Sequence, residues 1–283
     1  MSFLDRITAC AVFDAAAYLP FVVDGQQVGL LRPEFAARLA PFGDVFEVAS
    51  HEVRLASAPS DVEARTQAVD GVLRRLADDG ALSGWRGETY AVAARLEAPP
   101  LFYIERVAVP HFGVRASGVH VNGYVRDGAE LFMWIGRRSP NKPTAPNKLD
   151  QIVAGGRSAG YSIRETMLKE SEEEASIDAD LAARARPVGA ITYRTEREEG
   201  LRRDVLYVYD LELPADFAPR NTDGEIAEFE LWPIARVMER VRDSDDFKFN
   251  CSLVVIDFLI RHGLISPDDE PDYLALVEGL RAR

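Results

Sequence analysis

GGRSAGYSIRETMLKESEEEASI, residues 155–177, places four glutamates in five positions: Glu170, Glu172, Glu173 and Glu174. Like charges one turn apart weaken a helix, so their presence needs a reason. Ser162 followed by Glu165 forms a capping box that starts the helix. At about 100° per residue, Glu170, Glu173 and Glu174 share one face and Glu172 points away. Met167, Leu168 and Ala175 form a neighbouring stripe that can pack inward. Three carboxylates therefore sit together at the edge of a core. A solvated acidic face is one meaning of such a run. The other is an oxygen ligand set for a hard divalent cation, which removes the repulsion.

The preceding residues favour the metal. LDQIVAGG reads as a strand running into a glycine turn, and the loop before it, SPNKPTAPNKLD, carries Lys142 and Lys148. A metal cluster beside free backbone amides and basic side chains suits a diphosphate. Arg137, Arg138, Lys142 and Lys148 are candidates to hold it, with an ordinary solvated loop as the alternative. Lysine is used sparingly, at positions 142, 148, 169 and 248 only, and three of these lie in or just before the opening stretch.

Further out, GVHVNGYV and ELFMWIGRR read as strands joined through Asp127-Gly128. PVGAITYRTE and DVLYVYDLELP form a second pair around the polar loop REEGLRRD, with Val205, Tyr207, Tyr209, Leu211 and Leu213 on one face. EIAEFELW is a strand. PIARVMERVRD, NCSLVVIDFLIRHG (capped by Asn250, stopped by Gly263) and DYLALVEGLR are helices. Before residue 116 the pattern differs. FVVDGQQVGLL is a hairpin about Asp24-Gly25, and RPEFAARLAPF is a helix opened by Pro33. SDVEARTQAVDGVLRRLADDG is a helix with a Ser60–Glu63 capping box, and PPLFYIERVAVPHFGV is extended. Strands and helices interleave, so the class is α/β or mixed α+β. Two domains are expected, residues 1–115 and 116–283, with the chemistry in the second and the first shaping or covering a pocket.

With 283 residues, 47% of them hydrophobic, the chain can bury a sizeable core. A net charge of −13 argues against nucleic acid or an anionic membrane as partner. An anionic small molecule remains compatible, because a metal reverses the local sign. No apolar run reaches the length of a membrane span. Cys10 and Cys251 are far apart, and no signal pattern opens the chain, so a reducing cytoplasm is expected.

GRSAG, residues 156–160, also matches the G-x-S-x-G nucleophile elbow, with Ser158 as the attacking group. Only His262 lies downstream, near the end of an apolar helix, and no HGGG-type segment precedes it. HExxH and P-loop motifs are absent. His51, His111, His120 and His262 are scattered and read as structural or surface residues. Trp134 and Tyr193 can stack on a heterocycle, although strand aromatics more often pack in a core.

Gly155, Tyr161 and then Lys169-Glu170-Ser171-x-Glu173-Glu174-x-Ser176-Ile177 resemble the Nudix box, G-x5-E-x7-R-E-U-x-E-E-x-G-U. The spacing is complete. Tyr161 stands for the first Glu, Lys169 for the Arg, Ser171 for the apolar residue and Ser176 for the Gly. The resemblance is strongest over residues 120–273, where the chain is similar to the Nudix subgroup related to the domain fused to fungal thiamine pyrophosphokinase. It implies a Nudix αβα sandwich with a mixed sheet, preceded by a smaller α+β domain. It also implies Mg²⁺ or Mn²⁺ held by Glu170, Glu173, Glu174 and Ala154, a catalytic role for Lys169, and a substrate-side place for Tyr161. The implied reaction is hydrolysis of a diphosphate, such as thiamine diphosphate or its oxo and oxy analogues, to the monophosphate and phosphate. Alternatives are a nucleoside diphosphate derivative such as ADP-ribose or NADH, or a non-catalytic protein that only binds. One of the three glutamates, or Glu225 or Glu228, is expected to orient or deprotonate the water.

Overall fold

Helix α1 (Phe3–Thr8) opens the chain behind a Ser2–Asp5 capping box. The structure is a computed structural model that describes residues 1–56 and 60–281. Strands β1 (Leu19–Val23) and β2 (Gln26–Leu31) turn through Asp24 and Gly25, both at positive φ (49° and 72°) as a two-residue hairpin requires. Helix α2 (Pro33–Leu39) starts on its proline. Strands β3 (Phe46–Val48) and β4 (Val53–Leu55) complete a sheet of order β2-β1-β4-β3. In α3 (Val62–Asp78) the cap is Asp61, whose carboxylate accepts the Ala64 N–H at 2.9 Å. Ser60 lies one residue too early to do so, which corrects the expected capping box.

Strands β5 (Thr89–Val92) and β6 (Phe102–Glu105) pair with each other. The expected extension past Glu105 does not occur. A 3₁₀ turn leads into the one-turn helix α4 (Val109–Phe112), which Pro110 suits at its start. Phe21, Phe46, Phe102 and Phe112 centre the core of this part.

The second part carries β7 (Arg115–Asp127), β8 (Glu130–Arg138), β9 (Leu149–Asp150) and β10 (Val153–Gly156). Helices α5 (Ile163–Ala175) and α6 (Ala179–Ala182) follow, then β11 (Arg186–Arg197), β12 (Gly200–Glu212) and β13 (Ile226–Pro233). Helices α7 (Ile234–Asp243), α8 (Phe249–Arg261) and α9 (Tyr273–Gly279) end the chain. The sheet order is β11-β12-β7-β8-β13, with β10 on β7 and β9 on β8. It is mixed, because β12 runs parallel to β7 while the other neighbours are antiparallel. One edge of β7 is shared: β10 takes residues 118–121 and β8 takes 124–127.

Both faces of the sheet are covered, so β12 is apolar on both. Tyr209, Leu211 and Leu213 pack with Val121, Val153 and Met167 on the α5 side. Leu206 and Val208 pack with Tyr124, Val255 and Phe258 on the α8 side. The strand pair β11–β12 turns at Glu198-Glu199, so most of the expected polar loop is ladder. Helix α8 is capped at Lys248 rather than Asn250, which is buried in its first turn with its amide 3.4 Å from the Tyr193 hydroxyl. Gly263 at φ 68° follows the helix as expected. Phe3, Ile7 and Cys10 lie in the α8-side core, far in sequence from the rest of it.

Asp210, 2% exposed, ties β12 to β7 and α8. It accepts from the Asn122 amide at 3.0 Å and from the Arg261 guanidinium at 3.0 Å, and lies 3.3 Å from His262 Nε2. Burial pushes its pKa up, but these hydrogen bonds and the Arg261 charge outweigh it and hold the carboxyl at about 2, against an ordinary 3.8. The native state therefore binds the proton less readily than the unfolded chain. The resulting stability, about 2 kcal/mol, is present above pH 4 and is lost as pH falls through 3.8 towards 2. Asp210→Asn should flatten that acid limb in thermal melts and cost about 2 kcal/mol at pH 7, since it removes one of the two carboxylates that hold Arg261 and leaves Asp257 as the other.

Candidate active site

Strand β10 runs alongside α5 and brings backbone to the glutamates. Glu174, 4% exposed, accepts the Ala154 N–H at 2.7 Å. In an antiparallel ladder a residue's N–H and C=O point to the same side. The Ala154 carbonyl therefore also faces away from β7, towards Glu174. Glu170 lies over Gly155, where a Cβ would collide with its carboxylate; only glycine lets the helix come this close. Lys169 Nζ pairs with Glu170 at 3.3 Å and with Glu173 at 2.6 Å. Glu172 is exposed on the far face.

These groups open onto a cavity of 1040 Å³ between the two parts of the chain, lined by Glu170, Glu173 and Glu174 on one side. Burial raises the Glu174 carboxyl to about 8, opposed by the Ala154 N–H and reinforced by Asp150, Glu170 and Glu225. Burial raises Glu170 as well, partly offset by Lys169. An oxygen-only donor set with two carboxyls held above their usual range fits a hard divalent cation, whose charge favours their ionised forms. Among the described residues, the His, Cys, Asp or Glu donors that all lie within 4.8 Å of one another are those of His120, Asp150 and Cys251. The glutamates of α5 are wider apart, because Lys169 draws Glu170 and Glu173 to itself while Glu174 turns to Ala154.

The His120–Asp150–Cys251 group is buried beneath the cavity. Asp150 pairs with Arg138 at 2.7 Å and Lys248 at 3.8 Å, and accepts the Cys251 thiol at 2.7 Å. His120 Nδ1 lies 2.7 Å from the Gln151 side-chain oxygen. Burial, with Lys248 nearby, holds its pKa at about 4, so it is neutral at pH 7. Two cations already balance the one carboxylate, and a thiol and an imidazole suit neither Mg²⁺ nor Mn²⁺. The group is a structural network under the site.

The basic residues singled out in the sequence divide. Arg138, Lys142, Lys169 and Tyr161 line the cavity. Arg138 spends its guanidinium on Asp150 and on the Thr144 and Ala145 carbonyls, so it braces the loop. Lys142 pairs with Glu225, also in the cavity. Arg137 and Lys148 do not line it. Adjacent strand residues point to opposite faces, and Arg137 instead donates to Glu228 at 2.6 Å, while Lys148 donates to the Asp245 carbonyl at 2.6 Å. Glu228 is absent from the cavity wall for the same reason. Trp134 and Tyr193 pack in the two cores. Of the other histidines, His51 is exposed, His111 stacks on Phe35 and His262 stacks on Phe258.

Ser158 lines the cavity, but its hydroxyl donates to Glu88 at 3.3 Å. His262 is committed to Phe258 and Asp210, so the nucleophile-elbow spacing has no triad behind it. The sequence reasoning missed Tyr90, Arg106, Arg202 and Lys248, which also line the cavity. They come from four distant segments, and no periodicity or spacing marks them.

The protein is an αβα sandwich on a mixed sheet, in which Gly155 and Gly156 end strand β10 rather than forming the expected turn, and a short loop leads from them into the glutamate-bearing helix. Residues 2–116 match a family described as a domain of unknown function (DUF4743), and residues 116–251 match the NUDIX domain. Nudix hydrolase 24, chloroplastic, of Arabidopsis thaliana is 44% identical over 283 residues, covering 99% of this chain and 77% of the relative. Nudix hydrolase 20, chloroplastic, of the same plant is 42% identical over 297 residues, covering 99% and 78%. A crystal structure from Deinococcus radiodurans aligns with a TM-score of 0.39 at 23% identity, over 50% of this chain and 82% of that one. The chain belongs to the Nudix hydrolase family.

Proposed function

We propose that this Nudix hydrolase uses Mg²⁺ or Mn²⁺ to cleave the diphosphate of thiamine diphosphate or of its oxo and oxy analogues, releasing the monophosphate and phosphate. The observation that carries the diphosphatase reading is the shared cavity: Glu170, Glu173 and Glu174 face it together with Lys142 and Glu225. The choice of substrate rests on the likeness of residues 120–273 to the thiamine-linked subgroup. Residues 1–115 form the opposite wall of the pocket in this reading, and 116–283 the catalytic unit.

When bound, the divalent cation supplies an acidified water and charge to screen the phosphoryl oxygens. The protein's own contribution is positional. Glu170, Glu173, Glu174 and the Ala154 carbonyl would hold the cation from a capped helix and a ladder strand, both rigid. Lys169 fixes the spacing of Glu170 and Glu173. Burial raises Glu225, but the Lys142 ammonium outweighs it and keeps its carboxyl below the usual range, so it is ionised and able to accept a proton from the attacking water. Lys142 is then released to the phosphate.

The test is a screen of diphosphates with Mg²⁺, reading phosphate and monophosphate release. Thiamine diphosphate and its oxidised analogues are expected to give the highest kcat/KM. Preference for ADP-ribose or NADH would sink the thiamine assignment and leave the diphosphatase standing. Metal binding with no turnover of any diphosphate would leave a non-catalytic binder.

A further inference from the structure

Most cations around the cavity are already engaged. Lys169 holds two glutamates, Arg138 and Lys248 face Asp150, and Arg202 holds Glu199 through two nitrogens. Arg106 differs. It follows β6 in the N-terminal part, and its Nη1 donates to Glu88 at 2.9 Å. Its Nη2 makes no hydrogen bond among the described residues and lies 3.7 Å from where a Cβ on Gly156 would stand. Its charge is felt at both Glu170 and Glu225, on the two sides of the catalytic cluster.

Tyr90 is the second, independent observation. It comes from β5, is 6% exposed, and its hydroxyl has no hydrogen-bond partner among the described residues. That hydroxyl sits over Gly156, where any Cβ would collide with it. The ring is buried while the hydroxyl reaches the cavity, so it is placed to donate to a ligand there. Here the oxygen is held at the wall of the cavity, beside a half-free guanidinium and against a backbone kept bare of side chain.

We propose that Tyr90 and Arg106 form a phosphate-binding clasp, contributed by the N-terminal part, that holds the phosphoryl oxygens of the substrate in the cavity beside Gly156, within reach of the α5 glutamates. It rests on the diphosphatase reading for the identity of the substrate. The chemistry fits. A guanidinium edge and a phenol hydroxyl are both donors, and phosphate oxygens are acceptors that take up to several such bonds. The neighbouring Glu88 carboxylate orients the guanidinium without using its second edge. The glutamate-lined wall then handles the cation and the clasp handles the anion. A diphosphate lies between them, which gives residues 1–115 a defined part in the site.

The test uses the full chain with Tyr90→Phe, Arg106→Ala and Arg106→Lys. Affinity for inorganic pyrophosphate is read by calorimetry with and without Mg²⁺, alongside KM and kcat for the best diphosphate from the screen. Arg106→Ala should weaken pyrophosphate and raise KM by about tenfold or more. Arg106→Lys should recover part of this, since it restores the charge but not the fork. Tyr90→Phe should raise both by about three- to tenfold. Its melting temperature should be unchanged, because the hydroxyl has no protein partner to lose. Mg²⁺-induced stabilisation should persist in all three. Wild-type pyrophosphate affinity and KM in Tyr90→Phe and Arg106→Lys would overturn the clasp, as would a wild-type protein that does not bind pyrophosphate. A wild type that binds pyrophosphate through Arg106 but hydrolyses no diphosphate would uphold the clasp and remove the enzymatic reading instead.

Discussion

Replacing Glu173 and Glu174 together with glutamine should lower Mg²⁺-dependent diphosphate hydrolysis by about a thousandfold or more and abolish the rise in Tm that Mg²⁺ or Mn²⁺ produces. The substitutions are nearly isosteric. The new amide oxygen at 174 can still accept the Ala154 N–H, so the seam between β10 and α5 survives. Glu173 is exposed and its carboxylate pairs with Lys169, itself partly exposed, so its replacement buries no unsatisfied group. At 174 the change removes a carboxyl whose ionisation the burial already opposes, and the metal-free fold is expected to gain rather than lose stability at neutral pH. Loss of activity without loss of fold is therefore the expected pattern. Glu172→Gln, on the exposed far face, serves as the control and should change neither quantity. If the double variant keeps an unaltered Tm response to metal, the α5 glutamates are not its ligands.

A chain of residues 116–283 should fail to melt cooperatively, although the pattern of the sequence changes at that point. Helix α1 supplies Phe3, Ile7 and Cys10 to the core beneath α8. Burial of Phe3 and Ile7 contributes about 2 kcal/mol each. The Arg6 Nε–H also donates to the Val241 carbonyl at 3.0 Å in the buried interface. Further along, Arg203 donates to the Gly113 carbonyl at 3.0 Å, and Arg32 donates to the Arg197 carbonyl at 2.8 Å. Removing all of these consumes much of the roughly 5–15 kcal/mol by which a folded domain is stable. Calorimetry is the check. A single sharp transition within a few degrees of the full chain would show that the second part stands alone. A chain lacking only residues 1–12 separates the two causes: it should melt lower but keep Mg²⁺-dependent activity, because Tyr90 and Arg106 remain.

What could be read from the residues alone was set by neighbours in the chain. Ser162 and Glu165 start α5 through hydrogen bonds spanning three residues, and the helix repeat then puts Glu170, Glu173 and Glu174 on one face whatever surrounds them. Asp24-Gly25 turn their hairpin for a similarly local reason, the positive φ that such residues adopt cheaply; between β7 and β8 only Gly128 does so, and the turn falls one residue later than expected, on Gly128-Ala129, because Asp127 still pairs with Glu130. Where two local solutions lie close in energy, the residues did not decide. Ser60 and Asp61 can both cap a helix, and Asn250 yields its expected cap to a buried contact with Tyr193. Arg137 and Arg138 are chemically alike, and only the register of β8 against β13 and β9 turns one to solvent and the other to Asp150. Tyr90, Arg106 and α1 left no mark in the sequence, because their roles arise from contacts across long stretches of chain. The closing of the first part over Gly156 brings a lone tyrosine and one arginine among many to the glutamates. Packing across that seam is a property of the assembled core, whereas the face of a helix is a property of its repeat.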